Sequence, residues 1–199
     1  MTKFGFIRHG STAWNKERRA QGSSDIPLDQ DGINDAIKLA ARLSSENWDY
    51  IYSSNLLRAK QTAEIVAEKL DVPDLILDTR LREVSGGLIE GTTEAERLEK
   101  WGADWRSMDM DLGIEKVDSV LERGLACLKD IQQKHPESNI LIVSHGSFIR
   151  HLLKELTPDV DLTNYLQNTS ITTLSISDNI WNCEEYNCVK HLDQTVTNG

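Results

Sequence analysis

The run Ile140-Leu141-Ile142-Val143 constrains this chain more than any other segment. Successive side chains of a strand point to opposite faces, so a strand with one wet face alternates apolar and polar residues. One that is apolar at every position must be covered on both sides, as the central strand of a parallel sheet between helices is. Phe4-Gly5-Phe6-Ile7 has the same character near the N-terminus, and Tyr50-Ile51-Tyr52 and Leu75-Ile76-Leu77 supply two shorter strands.

Helical periodicity fills the gaps between these runs. Asp31 is a cap for a helix over 31–47, with Ile33, Ala36, Ile37, Ala40 and Leu43 on one face. Ser54 or Asn55 caps a helix over 56–70. Further helices are expected over 117–134 and over 147–156, the latter stopped near Pro158. Residues 92–108 carry a broken helical pattern that includes Trp101 and Trp105, and residues 11–28, rich in Gly, Ser, Asn and Gln, read as a long loop. Alternation over 171–176 and 181–186, interrupted by Ser177-Asp178-Asn179, marks a hairpin. Strands alternating with helices predict an α/β fold, a three-layer sandwich with a mainly parallel central sheet flanked by helices. At 199 residues the chain suits one domain, 1–199.

In such sheets, ligands lie at the carboxyl ends of the strands. The first strand ends in Ile7-Arg8-His9-Gly10, the second just before Ser53-Ser54, and the 140–143 strand in Ser144-His145-Gly146. These candidates therefore converge on one edge. A lone histidine there is more often a satisfied core residue. With Arg8, Arg58 and His145 beside it, His9 belongs to a cluster of donors without an apolar role. A phosphate dianion needs such a cluster, because guanidinium forks and imidazole N–H groups meet its oxygens through charge-assisted bonds. Arginines close to His9 favour its neutral form, the form that can attack phosphorus. Gly10 leaves room for another backbone to approach. Gly146-Ser147 opens a helix, and helix N-termini attract anions.

A net charge of −10, from 22 basic and 32 acidic residues, argues against nucleic-acid or anionic-membrane partners, which need a basic footprint. No stretch approaches the ~20 apolar residues that span a bilayer, and the N-terminus lacks the apolar core of a signal peptide. Cys127, Cys183 and Cys188 form no zinc spacing and no disulfide framework, and Cys127 reads as a buried small hydrophobe. These features predict a cytoplasmic protein with reduced thiols. His135, His151 and His191 match no motif and read as surface or structural. The acidic run Asp109, Asp111, Glu115, Asp118 lacks a calcium-loop pattern.

Four blocks resemble the histidine phosphatase superfamily, also called the phosphoglycerate mutase-like family. They are the Arg8-His9-Gly10 segment through Asn15, Gln21-Gly22 with Asp25, Pro27, Leu28 and Gly32, Ser53-Ser54-Asn55-Leu56-Leu57-Arg58, and Ser144-His145-Gly146. The resemblance implies a covalent phosphohistidine on His9, with Arg8, Arg58 and His145 on the phosphoryl oxygens. It also makes Glu83 the general acid/base, through Leu81-x-Glu83 followed by glycine and Glu90-Gly91. Asn15, Gln21, Gly22 and Gly146 are implied as phosphate contacts. No metal and no cofactor are implied.

Glu83 is followed by Val84-Ser85-Gly86, and the later segment is short. Both resemble the compact phosphatase branch, so the expected activity is hydrolysis of small phosphorylated metabolites. A cofactor-dependent phosphoglycerate mutase is one alternative, and a phospho-ligand binding protein without catalysis is another. Ile89 stands where tryptophan is common in the family, and Ser11 where Glu or Gln is common. Both bear on substrate preference. Residues 92–116 are expected to cover the pocket, with Trp101, Trp105, Met108 and Met110 on its inner side and Arg97, Lys100 and Arg106 at its rim. Trp14 is expected to pack rather than touch substrate. A monomer and a homodimer both remain open.

Overall fold

A computed structural model describes residues 1–107 and 111–193. Six strands form a single sheet in the order β3-β2-β4-β1-β5-β6. They are β1 (Thr2–Arg8), β2 (Tyr50–Ser53), β3 (Leu75–Leu77), β4 (Asn139–Ser144), β5 (Ile171–Ser177) and β6 (Ile180–Cys188). β3, β2, β4 and β1 are parallel, while β5 and β6 continue the sheet antiparallel as a hairpin. The expected α/β sandwich is therefore the observed architecture. Asp178 and Asn179 both take positive φ at the hairpin tip, as a tight turn between right-twisted strands demands.

Residues 140–143 are fully buried in β4, which lies between β1 and β2. Ile140 and Ile142 join Phe4, Phe6, Leu174 and the apolar faces of α5 (Val117–Lys134) and α6 (Gly146–Leu156). Leu141 and Val143 point the other way, into Ile7, Ile51 and the faces of α2 (Gln30–Leu43) and α3 (Leu57–Leu70). A strand without polar alternation thus forces two helical layers. Each of its four side chains contributes roughly 2 kcal/mol through burial.

Several boundaries differ from expectation. The cap of α2 is Asp29, whose Oδ1 accepts from Gly32 N at 2.8 Å, rather than Asp31, and the helix ends at Leu43 rather than near Asn47. Neither Ser54 nor Asn55 caps α3 in the expected way. Its N-cap is Leu56, whose N–H goes to Ser54 Oγ at 3.2 Å, and Asp25 reaches across to take Leu57 N at 2.6 Å. The loop over 11–28 contains a short helix, α1 (Ala13–Lys16), nucleated by a capping box between Thr12 and Asn15. The broken pattern over 92–108 becomes α4 (Glu94–Trp101), ended by Gly102 at φ +82. Met108, Asp109 and Met110 lie outside the described residues.

Candidate active site

The carboxyl ends of β1, β2 and β4 open into a cavity of about 420 Å³. Arg8 is the last residue of β1 and His9 follows it, while His145 is the N-cap of α6 directly after β4. His9 is 3% exposed and His145 is fully buried, with ring centroids 5.2 Å apart. Gly10 can sit here only without a side chain, because a Cβ would come within 2.6 Å of the Gly32 carbonyl.

The tautomer of His9 follows from its partner. Nδ1 lies 2.7 Å from the Gly10 carbonyl, which can only accept, so Nδ1 carries the proton. Nε2 of the neutral ring then presents a lone pair, and it makes no hydrogen bond among the described residues. Burial holds His9 well below its ordinary value, Arg58 and Arg8 push it further down, and the Gly10 bond opposes them. His145 is lowered in the same way, first by burial and then by Arg58, His9 and Arg8. Its Nε2 is 2.8 Å from Ser54 Oγ, which already accepts from Leu56 N and so donates its own proton to the ring. That leaves Nδ1 of His145 as the N–H.

Arg58 is fully buried at the start of α3, and its Nη1 and Nη2 donate to the carbonyls of Ser24 (2.7 Å) and Gly22 (2.8 Å). Burial pushes it down to about 10, against Glu83 and Asp25. Arg8 donates through Nη1 to the Leu166 carbonyl and is also lowered by burial. Among the described residues, six buried side-chain polar atoms lack a partner. Three of them, Arg8 Nε, Arg58 Nε and His145 Nδ1, surround His9. Buried donors without partners are costly, so a cluster of three marks the place of an anion.

Glu83 sits at the N-terminus of α6. Oε1 accepts from Val84 N and Phe148 N, both at 2.9 Å, and Oε2 from Ser147 N at 3.1 Å. The expectation that Gly146-Ser147 amides face phosphate is thereby narrowed. Ser147 N is taken by Glu83, and Gly146 remains on the lining. Asn15 also lines the cavity. Its Oδ1 accepts from Thr12 N and Oγ1 (both 3.1 Å) and from Asn168 Nδ2 (3.3 Å), so its NH₂ group is the free end. Gln21 and Gly22 line the same wall.

Of the residues singled out from sequence, Arg8, His9, Asn15, Gln21, Gly22, Arg58, Glu83 and Gly146 border one cavity. His145 stands behind His9 rather than on the wall. Trp101 and Trp105 are elsewhere. Trp105 is buried under the guanidinium groups of Arg97 (5.2 Å) and Arg106 (4.4 Å), and its Nε1 donates to Glu94, while Lys100 lies over Trp101. None of these five reaches the central cavity, which segment 92–116 borders through Ile114 alone. Trp14 packs against Gly91. His135 is structural, stacked on Tyr50 and bonded to Tyr52 Oη at 2.9 Å.

Sequence reasoning missed several neighbours. His151, read as surface or structural, lines the cavity together with Arg150 one turn into α6. Their spacing after His145 was a usable signal, because a helix that starts at the site keeps its next turn close to it. Tyr165 and Leu166, on a loop, had no such signal. Glu90 was seen only as half of a motif. Its carboxylate clamps Ser23 N (2.8 Å), Ser24 Oγ (2.9 Å) and Gly86 N (2.8 Å), tying the loop that holds Arg58 to the loop that follows Glu83.

An attacking imidazole, guanidinium groups and a carboxyl group at strand carboxyl ends define a site for phosphoryl groups. The chain belongs to the histidine phosphatase superfamily (branch 1), whose model matches residues 4–189. It is 32% identical to phosphoglycerate mutase-like protein 4 of Arabidopsis thaliana, over 95% of this chain and 86% of that protein. It is 30% identical to the metal-independent phosphoserine phosphatase of the same plant, over 96% and 84%. Among solved structures, Bacillus stearothermophilus YhfR superposes with a TM-score of 0.85 at 30% identity, covering 97% of this chain and all of that one.

Proposed function

We propose that this protein is a phosphomonoesterase that hydrolyses small-molecule phosphate monoesters through a phosphohistidine on His9. The observation that carries the reading is the set of three unpartnered buried donors around an imidazole whose proton is held on Nδ1. Nε2 attacks phosphorus and the ester P–O bond breaks. Glu83, protonated in the complex, gives its proton to the departing oxygen. Water then attacks the phosphohistidine, Glu83 takes the proton from that water, and inorganic phosphate and neutral imidazole are released. Arg8, Arg58 and His145 neutralise the three equatorial oxygens, with Asn15, Gln21, Gly22 and Gly146 completing the cradle. Guanidinium groups thus supply the charge that a metal supplies in other phosphatases. Turnover is expected to survive a chelator, in the cytoplasm where small phosphate esters are found. Residues 92–116, through Ile114, cover one side of the substrate.

Rapid quench with ³²P-labelled ester tests this reading. An acid-labile, alkali-stable adduct on His9, absent in His9→Ala together with turnover, is the expected result. Substantial activity in His9→Ala would refute it. A phosphoglycerate mutase shares the intermediate but returns the phosphoryl group to a bound acid. Incubation with 3-phosphoglycerate and its bisphosphorylated primer separates the two, since free phosphate is expected here and 2-phosphoglycerate from a mutase.

A further inference from the structure

The mouth of the cavity carries a guanidinium group that the phosphoryl chemistry does not use. Arg150 lines the wall and lies over the ring of Tyr165, 5.1 Å from its centroid. Among the described residues it makes no ion pair and no side-chain hydrogen bond. The acids bordering the adjoining groove, Glu155 and Asp161, are not paired with it either. Arg19, the other arginine at the mouth, differs. It is bound to Glu17 and Glu96, each at 2.7 Å, and to the Gly91 carbonyl at 2.6 Å.

Counting charges on the lining turns this into a statement about substrate. Arg8 and Arg58 match a phosphate dianion once Glu83 holds its proton, and Arg19 is matched by its two glutamates. One cation, Arg150, is left over in a protein whose net charge is −10. Tyr165 restrains the guanidinium group by stacking, which lowers the ordering cost of a second anion bond. Between the two anion positions the wall is apolar, built from Val84, Ile89, Ile114 and Leu166.

We infer that Arg150, carried on Tyr165, is the subsite for a single carboxylate on the leaving group, so that the substrate is the phosphate ester of a hydroxy acid. This rests on the phosphomonoesterase reading for the orientation of the ester, with phosphate at His9 and carboxylate at the mouth. His151, beside Arg150 on the same wall, borders the carboxylate position without supplying the charge.

Calorimetry on His9→Ala protein reads the subsite without turnover. The matched ligands are 3-phosphoglycerate and glycerol 3-phosphate, which differ at one end as carboxylate against hydroxymethyl. 3-Phosphoglycerate is expected to bind roughly tenfold tighter, the low end for a charge-assisted pair at a partly wet site. Adding Arg150→Gln should bring the ratio below about twofold by weakening 3-phosphoglycerate alone, and Arg150→Lys should keep part of the preference. Equal affinities in the parent, a preference that survives Arg150→Gln, or equal losses on both ligands would overturn the inference. Turnover of p-nitrophenyl phosphate by the wild type is read separately. Its absence beside an intact carboxylate preference strikes the catalytic reading only, and turnover without the preference strikes the subsite only.

Discussion

Lowering the pH from 7.5 to 5.5 should destabilise this protein through two particular side chains. His9 and His145 are buried and held well below the ordinary histidine value of 6.5, so both are neutral in the fold across this window. In the unfolded chain they titrate near 6.5. The unfolded state therefore binds more protons, and stability rises with pH up to about 6.5 and falls below it. At pH 7.5 the contribution of each is close to zero, while at pH 5.5 each favours unfolding by about 1.4 kcal/mol, or about 3 kcal/mol for the pair. Against a urea slope of roughly 2–3 kcal/mol/M, that moves the unfolding midpoint by about 1 M. His135, His151 and His191 are also lowered and act with the same sign, so the pair must be isolated by difference. In His9→Gln/His145→Gln, urea melts followed by the fluorescence of buried Trp48 should show a pH-dependent shift smaller by about 1 M. Identical shifts in wild type and double variant would refute the claim that both rings are held neutral by burial and the two arginines.

Glu83→Gln should slow esters with poor leaving groups far more than p-nitrophenyl phosphate, whose anion departs without a proton; equal losses would remove Glu83 as the acid. Arg58→Ala should cost roughly 10²–10³ in kcat, as expected for one preorganised charge donor, and a change under about threefold would place the phosphoryl group elsewhere. Glu90→Ala removes the clamp on Ser23, Ser24 and Gly86. It should lower kcat/KM by roughly tenfold and stability by about 1–3 kcal/mol. Glu90→Gln keeps a carbonyl for the two amides and should retain most of both, so alanine and glutamine variants of equal activity would show that the clamp does not position Arg58.

The sheet was legible in the chain because continuous apolar runs admit few arrangements. The 140–143 segment has no wet face to offer, so two helical layers follow from it alone. Catalytic candidates were legible for a related reason. In a parallel sheet all strands end on one edge, so residues just after three separate strands meet whatever the loops do. Helix ends were less legible. Asp29 and Asp31 are chemically equal caps, and the fold selects Asp29 because Ser11 and Lys16 also pair with it.

What the amino-acid order determined by itself was therefore the layered sheet and the meeting of His9, Arg58 and His145 at its carboxyl edge. Only the tertiary structure decided the tautomer of His9 and the Glu90 clamp. It also decided that Trp101 and Trp105 turn away from the cavity and that Arg150 and Tyr165 stand at its mouth. The physical reason is range. Strand and helix patterns are local and repeat every few residues. A hydrogen bond such as Ser23 N to Glu90, or a stack such as Arg150 on Tyr165, joins loops and helix turns whose approach no local period encodes.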